Sequence, residues 1–401
     1  MFLFDVEENE LVNFVLKSKS KKSQDCNGID MAIVKDVILS ISKPLTYLCN
    51  LSFKSGTFPN SMKIAKVIPL YKSGDKHQFT NYTPVALLSQ FSKIFEKLFD
   101  NRLEKCIDKH SLLTNSQYGF RKTRSTSLAI TEAMEEISNA MDNKKYAIGL
   151  FIDLKKAFDT INHRILVDKL ERYGIRGVAL EWVKNYLSNR KQFVNMGNTT
   201  SDCLNITCGV PQGSVLGPKL FILYINDMSK VSLVLKLVLF ADDTNIFCSD
   251  EHIDTLLDKV TAEMHQLKVW FDCNKLSLNL SKTKYMIFSN RKKITKQTLI
   301  IDQEIIEKVD EFKFLGVLID NKLNWKSHIK YVQTKISKSV AVLNKVKYVL
   351  DYKSLRMLYC ALVLPHLSYC LEIWGNNYTS TIKPLIILQK RAIRIVHWVG
   401  Y

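Results

Sequence analysis

The stretch Phe240-Ala241-Asp242-Asp243 decides the fold of this chain. Apolar runs flank it at 231–240 and 245–248, so the pattern predicts a strand, a tight two-residue turn and a second strand, with the acids at the tip. Adjacent carboxylates repel each other, and a partly enclosed pair costs stability unless a cation neutralises it. The alternative interpretation is an ordinary polar hairpin turn, where aspartates are common.

A third acid, Asp153, follows another apolar run at 147–152. If that strand lies beside the 231–248 hairpin, Asp153 and Asp242 converge at one end of a sheet. Converging carboxylates are suited to a two-metal site for phosphoryl transfer. Oxygen ligands and a phosphate substrate favour Mg²⁺ or Mn²⁺ over Zn²⁺, so we expect magnesium as the cofactor.

Composition indicates a folded protein with a polyanionic partner. The chain has 401 residues, of which 46% are hydrophobic, and this argues against disorder. Lysines and arginines number 57 against 39 acids, and the resulting formal charge of +18 is spread along the whole chain. Such an excess is typical of proteins that bind nucleic acid or an anionic membrane surface.

Cysteine usage and hydropathy predict a soluble intracellular protein. The nine cysteines show no Cys-x-x-Cys pair, which suits free thiols in a reducing compartment and makes zinc binding unexpected. The N-terminus becomes acidic too early for a signal peptide. No apolar run approaches the roughly 20 residues of a spanning helix, so no membrane partner is expected.

Periodicity predicts alternating helices and strands along the rest of the chain. Helices are expected at 31–53, 85–107, from Ser125 or Thr126, at 159–174, 219–228 and 251–273, and from Ser327 onward. Strands are expected at 66–72, 147–153, near 206 and at 283–289, with a further hairpin arm at 312–319. In the helix at 85–107, Lys93, Lys97 and Arg102 face either a phosphate backbone or solvent.

Seven segments then occur in an order that is itself informative. The first four are Phe58-Pro-Asn-Ser-Met-Lys-Ile-Ala-Lys-Val-Ile-Pro69, Asn81-Tyr-Thr-Pro-Val-Ala-Leu-Leu-Ser89, Gln117-Tyr-Gly-Phe-Arg121 and Phe151-Ile-Asp-Leu-Lys-Lys-Ala-Phe-Asp159. The last three are Gly209-Val-Pro-Gln-Gly-Ser-Val-Leu-Gly-Pro218, Phe240-Ala-Asp-Asp243 and Phe314-Leu-Gly-Val317. From about residue 28 the chain resembles the reverse transcriptase of non-LTR (LINE, jockey-type) retrotransposons. Each segment alone is weak evidence, but seven in the family's order are specific.

The resemblance implies an α+β right-hand polymerase fold with fingers, an antiparallel-sheet palm and a helical thumb. It divides the chain into an N-terminal extension at 1–59, fingers at 60–146, a catalytic palm at 147–320 and a thumb at 321–401. The chain stops in apolar sequence, as a truncated thumb would. Basic thumb residues are expected to follow the template–primer backbone: Lys330, Lys335, Lys338, Lys345 and Lys347.

The resemblance assigns metal binding and catalysis to the acids. Asp153 and Asp242 are the expected main ligands, Asp243 is an auxiliary acid, and the carbonyl of Leu154 adds an oxygen. One ion would lower the pKa of the primer 3′-hydroxyl, and the other would neutralise the triphosphate and the leaving group.

Nucleotide contacts follow from the same resemblance. Phe158 matches the steric gate, a ring that leaves no room for a 2′-hydroxyl, although ordinary packing at the start of a helix is the alternative. Gln212 and Gly213 are expected at the incoming nucleotide or template base, since glycine permits close backbone approach. Lys72 is also expected to bind the nucleotide.

Two further sets of basic residues take roles from the resemblance. Lys282 or Lys284 matches a lysine that protonates pyrophosphate, and the sequence leaves both open. Arg121 and Lys122 are expected to contact the template backbone.

Position 83 departs from the family pattern. The family usually has arginine where this chain has Thr83, and threonine cannot make a bidentate phosphate contact. Lys72 and Lys76 are candidates for partial compensation. The alternative is a decayed genomic copy that binds nucleic acid but polymerises poorly.

We therefore expect an RNA-directed DNA polymerase, a nucleotidyltransferase that uses dNTPs, an RNA template and a DNA primer or target. Full-length elements usually carry an endonuclease domain, and we expect this chain to be the polymerase portion alone. We expect it in the nucleus, the cytoplasm or both. Rival interpretations are a catalytically inert RNA-binding remnant and an RNA-dependent RNA polymerase or intron-type maturase. A viral RNA polymerase more typically has Gly-Asp-Asp and lacks an aromatic residue at position 158.

Overall fold

A computed structural model describes residues 1–20, 22–197, 199–291 and 298–398. The chain divides into two compact units, each assembled from separate segments. The first unit contains residues 1–120, 154–232 and 266–278, and the second contains 121–153, 233–265 and 279–401. The last three residues of the predicted thumb, 399–401, lie outside the described residues.

Helices cover a larger share of the described chain than strands do. They are α1 (Glu8–Lys17), α2 (Met31–Ser55), α3 (Gln90–Lys109), α4 (Thr126–Asp142), α5 (His163–Arg172), α6 (Val178–Leu187), α7 (Gly217–Tyr224), α8 (Ile253–Cys273), α9 (Lys326–Val346), α10 (Tyr352–Leu362), α11 (Leu364–Ser368), α12 (Leu371–Trp374) and α13 (Thr379–His397). None of the described helices is long and apolar enough to span a bilayer.

The strands are mostly short. They are β1 (Ile64–Tyr71), β2 (Tyr82–Leu88), β3 (Tyr146–Ile152), β4 (Arg190–Met196), β5 (Thr199–Thr200), β6 (Leu204–Ile206), β7 (Lys236–Phe240), β8 (Asp243–Asp250), β9 (Lys284–Phe288), β10 (Ile300–Ile301), β11 (Glu304–Ile305), β12 (Glu307–Lys308), β13 (Glu311–Phe314) and β14 (Val317–Asp320). The chain is thus a mixed helix-and-sheet protein, as the sequence predicts.

The first unit combines a five-stranded sheet with an aromatic core. Its strand order is β2-β1-β4-β5 with β6 also paired to β4, and β1 runs parallel to β4. In the core, Trp182 on α6 stacks on Phe99 of α3 with ring centroids 4.1 Å apart, and Phe53 of α2 meets both rings edge-on. Large rings in contact dominate the energetics of a core, so these helices are held together chiefly by apolar burial.

Arg102 on α3 fastens the start of the chain to the first unit. Its guanidinium donates two bonds to Glu10, at 2.8 and 2.9 Å, and others to the carbonyls of Phe4, Asp5 and Leu98. Burial alone would raise the pKa of Glu10, but hydrogen bonds from Arg102 and Asn101 hold it below its usual range. The expectation that Arg102 faces phosphate or solvent is therefore wrong, because the side chain is buried and fully engaged.

The second unit is built on a five-stranded sheet of order β12-β9-β3-β8-β7. Its strands pair antiparallel except for the short β12, which runs parallel to β9. Every residue of the central strand β3 is buried, as a continuous apolar run predicts for a strand covered on both faces. Helix α4 packs against β3, β7 and β8, and the hydroxyl of Ser125 caps its first turn.

Most predicted elements are confirmed, with some corrections. Residues 85–88 belong to β2 and not to the helix predicted at 85–107, because Val85 to Leu88 pair with β1. The predicted hairpin arm at 312–319 is a complete hairpin, β13–β14. Helices α1 and α6 and strand β4 were not predicted from the sequence. All nine cysteines are free, as expected.

His328, at the start of α9, carries a pH prediction. Its ring is 2% exposed, and Nδ1 accepts a hydrogen bond from the Leu318 amide at 3.2 Å, which requires neutral imidazole. Burial, with a contribution from the Lys313 charge, lowers its pKa to about 4. Since the unfolded histidine binds its proton near pH 6.5, stability contributed by the neutral form is lost as pH falls from about 6.5 to about 4, by up to ~3 kcal/mol.

Replacing the imidazole should remove this acid sensitivity. We expect His328→Gln to flatten the fall in urea midpoint between pH 6.5 and 4.5, whatever its effect at pH 7.5. His366→Gln, at an exposed site on α11, is the matched control. An unchanged pH profile in His328→Gln would show that this histidine does not titrate as described.

Candidate active site

The predicted acidic hairpin is present in the second unit. Phe240 pairs with Asp243 across β7 and β8, leaving Ala241 and Asp242 as the two turn residues. Ala241 has a φ of +57°, the positive value that tight hairpin turns require at their first central position. The β3–β8 register ends at Ile152 opposite Thr244, so Asp153 follows β3 at the level where Asp243 begins β8.

The three carboxylates act on one another electrostatically. Burial raises the pKa of Asp243 to about 6, with the charges of Asp242 and Asp153 adding to the shift. Burial likewise raises the pKa of Asp242, as does the Asp153 charge, against a lowering backbone hydrogen bond. Both hairpin side chains remain open to solvent on one side. A bound cation would therefore offset both the burial and the mutual repulsion of these carboxylates.

The donor set fits a hard divalent cation. Carboxylate oxygens are the ligands that Mg²⁺ and Mn²⁺ prefer, and the mutual repulsion of these acids would be relieved by such an ion. Within the described ranges, no group of three His, Cys, Asp or Glu side chains already stands close enough to hold a metal. Asp153, Asp242 and Asp243 thus affect one another electrostatically but do not form a complete set of metal ligands.

Asn279 anchors Asp153 from the loop that leads into β9. Its side-chain Nδ2 donates to the Asp153 carboxylate Oδ2 at 2.7 Å, and its backbone N–H donates to the Asp153 carbonyl at 2.8 Å. Sequence reasoning did not single out Asn279, although it lies in the segment that supplied the lysine candidates. Its position five residues before a strand gives no signal of this contact.

A cavity of about 560 Å³ opens beside the acids within the second unit. Asp153 and Asp243 lie on its wall together with Lys282, Lys284 and Lys313. Carboxylates and ammonium groups on one cavity wall can hold, respectively, a cation and a phosphate. The cavity is large enough for a small ligand such as a nucleotide.

The structure separates the two lysine candidates. Lys284 is the first residue of β9, where its ammonium pairs with Glu307 and also donates to the Ser281 carbonyl at 3.4 Å. For Lys282, no ion pair is found in the described part of the chain, and its side chain is exposed on the cavity wall. Geometry therefore favours Lys282 over Lys284 as a proton donor to a ligand in this cavity.

Arg121, Lys122 and Leu154 are the other residues predicted at the template backbone and the metal site. Arg121 and Lys122 precede α4 in the second unit, with Arg121 half-buried and Lys122 exposed. Leu154 is assigned to the first unit, where it forms an isolated antiparallel bridge with Leu278 and its side chain is buried.

The Pro-Gln-Gly loop lies in the first unit. Gln212 donates from Nε2 to Asp159 Oδ1 at 2.9 Å, and its carbonyl accepts from the Ala86 amide of β2 at 3.0 Å. A Cβ on Gly213 would stand 2.5 Å from the Ala86 carbonyl oxygen, and φ there is +114°. The close approach that requires glycine is thus to the protein's own backbone.

A second cavity, of about 430 Å³, adjoins this loop inside the first unit. Its wall includes Lys156, Asp159 and Gln212, with Pro84 and Ala86 from β2. Burial raises the pKa of Asp159, while the Gln212 hydrogen bond and the Lys156 charge oppose the shift.

Glu96 supports the Pro-Gln-Gly loop and was missed by sequence reasoning. Its carboxylate is fully buried on α3, and it accepts from the amides of Val215 at 2.6 Å and Leu216 at 3.3 Å, and from the Ser92 hydroxyl. Burial raises the pKa of Glu96 against these bonds. A glutamate among apolar helix positions is the signal that could have identified it.

Phe158 lies in the turn region that follows β3, in the first unit. Its half-buried ring stacks on Phe221 of α7 at 4.5 Å and meets Phe120 edge-on at 6.3 Å. Its carbonyl accepts from the Val210 amide at 2.9 Å, which ties it to the Pro-Gln-Gly loop. The ring therefore takes part in packing while keeping one accessible side, and residues 154–162 are not helical.

Thr83 and Lys72 occupy the β1–β2 hairpin of the first unit. Thr83 pairs with Leu70, and its hydroxyl is buried without a hydrogen-bond partner in the part that the structure describes. Lys72 is exposed just after β1, where its amide bonds to the Asn81 carbonyl, and Lys76 lies 5.8 Å from the Tyr71 ring centroid.

Comparison with known proteins finds one family and several relatives that this chain resembles. Residues 72–319, more than half of the chain, match the family described as "Reverse transcriptase (RNA-dependent DNA polymerase)". The chain is 27% identical to the probable RNA-directed DNA polymerase from transposon X-element of Drosophila melanogaster, covering 97% of this chain and 44% of that protein. It is also 27% identical to the RNA-directed DNA polymerase from mobile element jockey of the same species, over 96% of this chain and 43% of that protein.

A further relative is the Pol polyprotein from type-1 retrotransposable element R1 of Bradysia coprophila, 26% identical over 98% of this chain and 39% of that protein. The chain spans less than half the length of the curated relatives it matches. The resemblance drawn from the seven sequence segments is confirmed: the chain belongs to the reverse transcriptase (RNA-dependent DNA polymerase) family, in its non-LTR retrotransposon branch.

Proposed function

We propose that this chain extends the 3′-hydroxyl of a DNA primer on an RNA template, using dNTPs. The observation that supports this most is the placement of three mutually repelling aspartates at one end of a sheet, beside a cavity with lysines on its wall. Family membership and relatives named as RNA-directed DNA polymerases support the same reaction.

Asp153 and Asp242 would hold the divalent ions, with Asp243 as the auxiliary acid and the Leu154 carbonyl as a further oxygen. Reverse transcriptases generally use divalent metal ions, and the all-oxygen donor set here favours Mg²⁺, with Mn²⁺ as a substitute. When bound, the ions would activate the primer hydroxyl and neutralise the triphosphate. Lys282 would give a proton to departing pyrophosphate, and its exposed position on the cavity wall supports this role.

The right-hand arrangement is the architecture that we propose for this activity. The mainly antiparallel sheet β12-β9-β3-β8-β7 would serve as the palm, the β1–β2 region as fingers and the C-terminal helices as the thumb. Arg121, Lys122 and the basic residues of α9 would contact template and primer phosphates, so binding should weaken steeply as salt rises.

Phe158 is the proposed discriminator against ribonucleotides. Replacing Phe158 with valine should raise relative ribonucleotide incorporation by about tenfold or more, because the smaller side chain leaves room for a 2′-hydroxyl. The measurement is the ratio of kcat/KM for dTTP and UTP on poly(rA)/oligo(dT). Phe120→Val removes an edge contact to the same ring and is the matched control; equal discrimination in Phe158→Val and wild type would refute the gate.

We propose that Thr83 gives weaker nucleotide binding than the arginine that the family usually has at this position. We expect Thr83→Arg to lower the KM for dTTP by about tenfold, since a charged hydrogen bond to phosphate is worth roughly 1.5–3 kcal/mol. The change sacrifices no existing hydrogen bond of the hydroxyl among the described residues. Thr80→Arg, at the neighbouring turn, controls for the added charge. If both substitutions lower the KM for dTTP equally, the effect is a general attraction of the nucleotide to positive charge. The specific role proposed for position 83 would then be wrong.

The proposed activity is tested by primer extension on an RNA of mixed sequence. A labelled DNA primer with Mg²⁺ and all four dNTPs should yield alkali-resistant product complementary to the template. Tight duplex binding without extension would instead favour the alternative, a decayed copy that only binds nucleic acid. Nuclear or cytoplasmic residence is part of the proposal, because the template and the insertion target of such an element occupy those compartments.

A further inference from the structure

Asn279 and Asp153 form a double hydrogen bond within the second unit. The amide Nδ2 reaches carboxylate Oδ2 at 2.7 Å, and the backbone N–H reaches the Asp153 carbonyl at 2.8 Å. Both bonds join residues separated by 126 positions in the chain. They fix the Asp153 side chain from a loop outside the hairpin that carries Asp242 and Asp243.

The orientation of the Asn279 amide follows from its two partners. An ionised carboxylate only accepts, so the group facing Asp153 must be the NH₂. On the other side, the Ser281 hydroxyl donates to Asn279 Oδ1 at 2.9 Å. The Ser281 hydroxyl thus satisfies the amide oxygen in the orientation that presents a donor to Asp153.

The same asparagine closes the loop that carries the lysine candidate. Its carbonyl accepts from the Lys282 amide at 3.1 Å and from the Thr283 amide at 2.9 Å, and the Thr283 hydroxyl adds a third bond at 3.0 Å. Because Thr283 is buried, with 1% of its surface exposed, packing around its side chain holds this turn in place. Asn279 thus connects Asp153 to the backbone from which Lys282 extends.

We propose that Asn279 is a positioning residue for the metal site. It occupies Oδ2 of Asp153 and holds the carboxylate in one rotamer, so that Oδ1 remains as the oxygen for a cation. It also sets the distance from this carboxylate to the Lys282 loop. This inference rests on the proposed metal-dependent function. Hydrogen-bonded supports of a ligating carboxylate typically change metal affinity by about 10–100-fold when removed.

The test is a titration of the full chain with Mn²⁺ alone, with free ion measured by electron paramagnetic resonance. Asn279→Ala should weaken Mn²⁺ binding by about tenfold and raise the Mg²⁺ concentration for half-maximal incorporation by a similar factor. Alanine keeps every hydrogen bond of the Asn279 backbone and removes only the side-chain amide, so the loop itself should persist. Ser281→Ala, which removes only the orienting hydroxyl, should show a smaller loss in the same direction.

Asn321 offers a closely matched control. It makes the same double contact with an aspartate of the same unit: Nδ2 to Asp310 Oδ1 at 2.8 Å and backbone N–H to the Asp310 carbonyl at 3.0 Å. Asn321→Ala should leave Mn²⁺ affinity unchanged.

The outcomes separate this inference from the proposed function. Wild-type Mn²⁺ affinity in both Asn279→Ala and Ser281→Ala would overturn the positioning role while leaving the polymerase proposal intact. Equal losses in Asn279→Ala and Asn321→Ala would also overturn it, because the effect would then be structural. If the wild-type protein neither binds Mn²⁺ nor incorporates dTTP, the metal site itself would be refuted, and the inference with it.

Discussion

Asp242→Ala should reduce nucleotide incorporation by about a thousandfold or more, with little loss of duplex binding. The expected result follows from the position of Asp242 in the turn between β7 and β8, where the charges of Asp153, Asp242 and Asp243 act on one another. Removing one of three carboxylates takes away a ligand and relieves repulsion at once, so the folded protein should tolerate the change while cation affinity falls. Single-turnover dTTP incorporation with saturating duplex measures the loss.

Asp36→Ala is the matched control, since it removes one exposed acid from α2 and changes the net charge equally. It should retain wild-type incorporation. Higher Mg²⁺ or substitution by Mn²⁺ should recover part of the activity of Asp242→Asn. Full activity in Asp242→Ala would show that the hairpin aspartates are not the metal ligands.

Arg102→Met should be the most destabilising substitution that we predict, by about 3–5 kcal/mol, the range for removing one partner of a buried ion pair. The side chain is inaccessible, and its guanidinium satisfies Glu10 and three backbone carbonyls. Methionine fills similar volume but leaves those acceptors unpaired. The urea midpoint should fall, and the segment before α2 should become sensitive to trypsin.

Lys54→Met provides the comparison within the same unit. Its ion pair with Asp5 spans 3.2 Å, but both side chains are about two-thirds exposed, so the substitution should cost no more than about 1 kcal/mol. A fall in midpoint for Arg102→Met no larger than that for Lys54→Met would contradict the role assigned to the buried pair.

The elements with simple hydrophobic patterns were predictable from sequence. The continuous apolar run of β3 and the two runs around Asp242-Asp243 define strands because nothing else buries such segments over so short a length. The acids were expected to converge at one end of a sheet if these strands lie side by side. The β3–β8 register then confirmed that Asp153 and Asp243 reach the same level.

What the sequence did not predict depends on contacts between distant segments. Residues 85–88 have helix-compatible composition, but pairing with β1 makes them a strand, which is tertiary context overriding local preference. Arg102 has the spacing of a surface residue, and only the approach of the chain start reveals its burial. Asn279 and Glu96 act on residues more than 100 positions away, so local pattern carries no trace of their partners.

The choice between Lys282 and Lys284 also depends on a contact between distant segments. Lys282 and Lys284 are two positions apart, and their sequence context is equivalent. Both lysines lie on the cavity wall, and the difference arises from β12, which brings Glu307 against Lys284, whereas no ion pair of Lys282 is found among the described residues. A parallel pair of two-residue strands is too short to be predicted from composition.

The decisive measurement is dTTP incorporation by the wild-type chain on poly(rA)/oligo(dT) with Mg²⁺, with duplex binding measured in the same samples. We expect incorporation that depends on the RNA template and disappears when EDTA removes the metal. Duplex binding without incorporation, in Mg²⁺ and in Mn²⁺ alike, would refute the proposed polymerase activity.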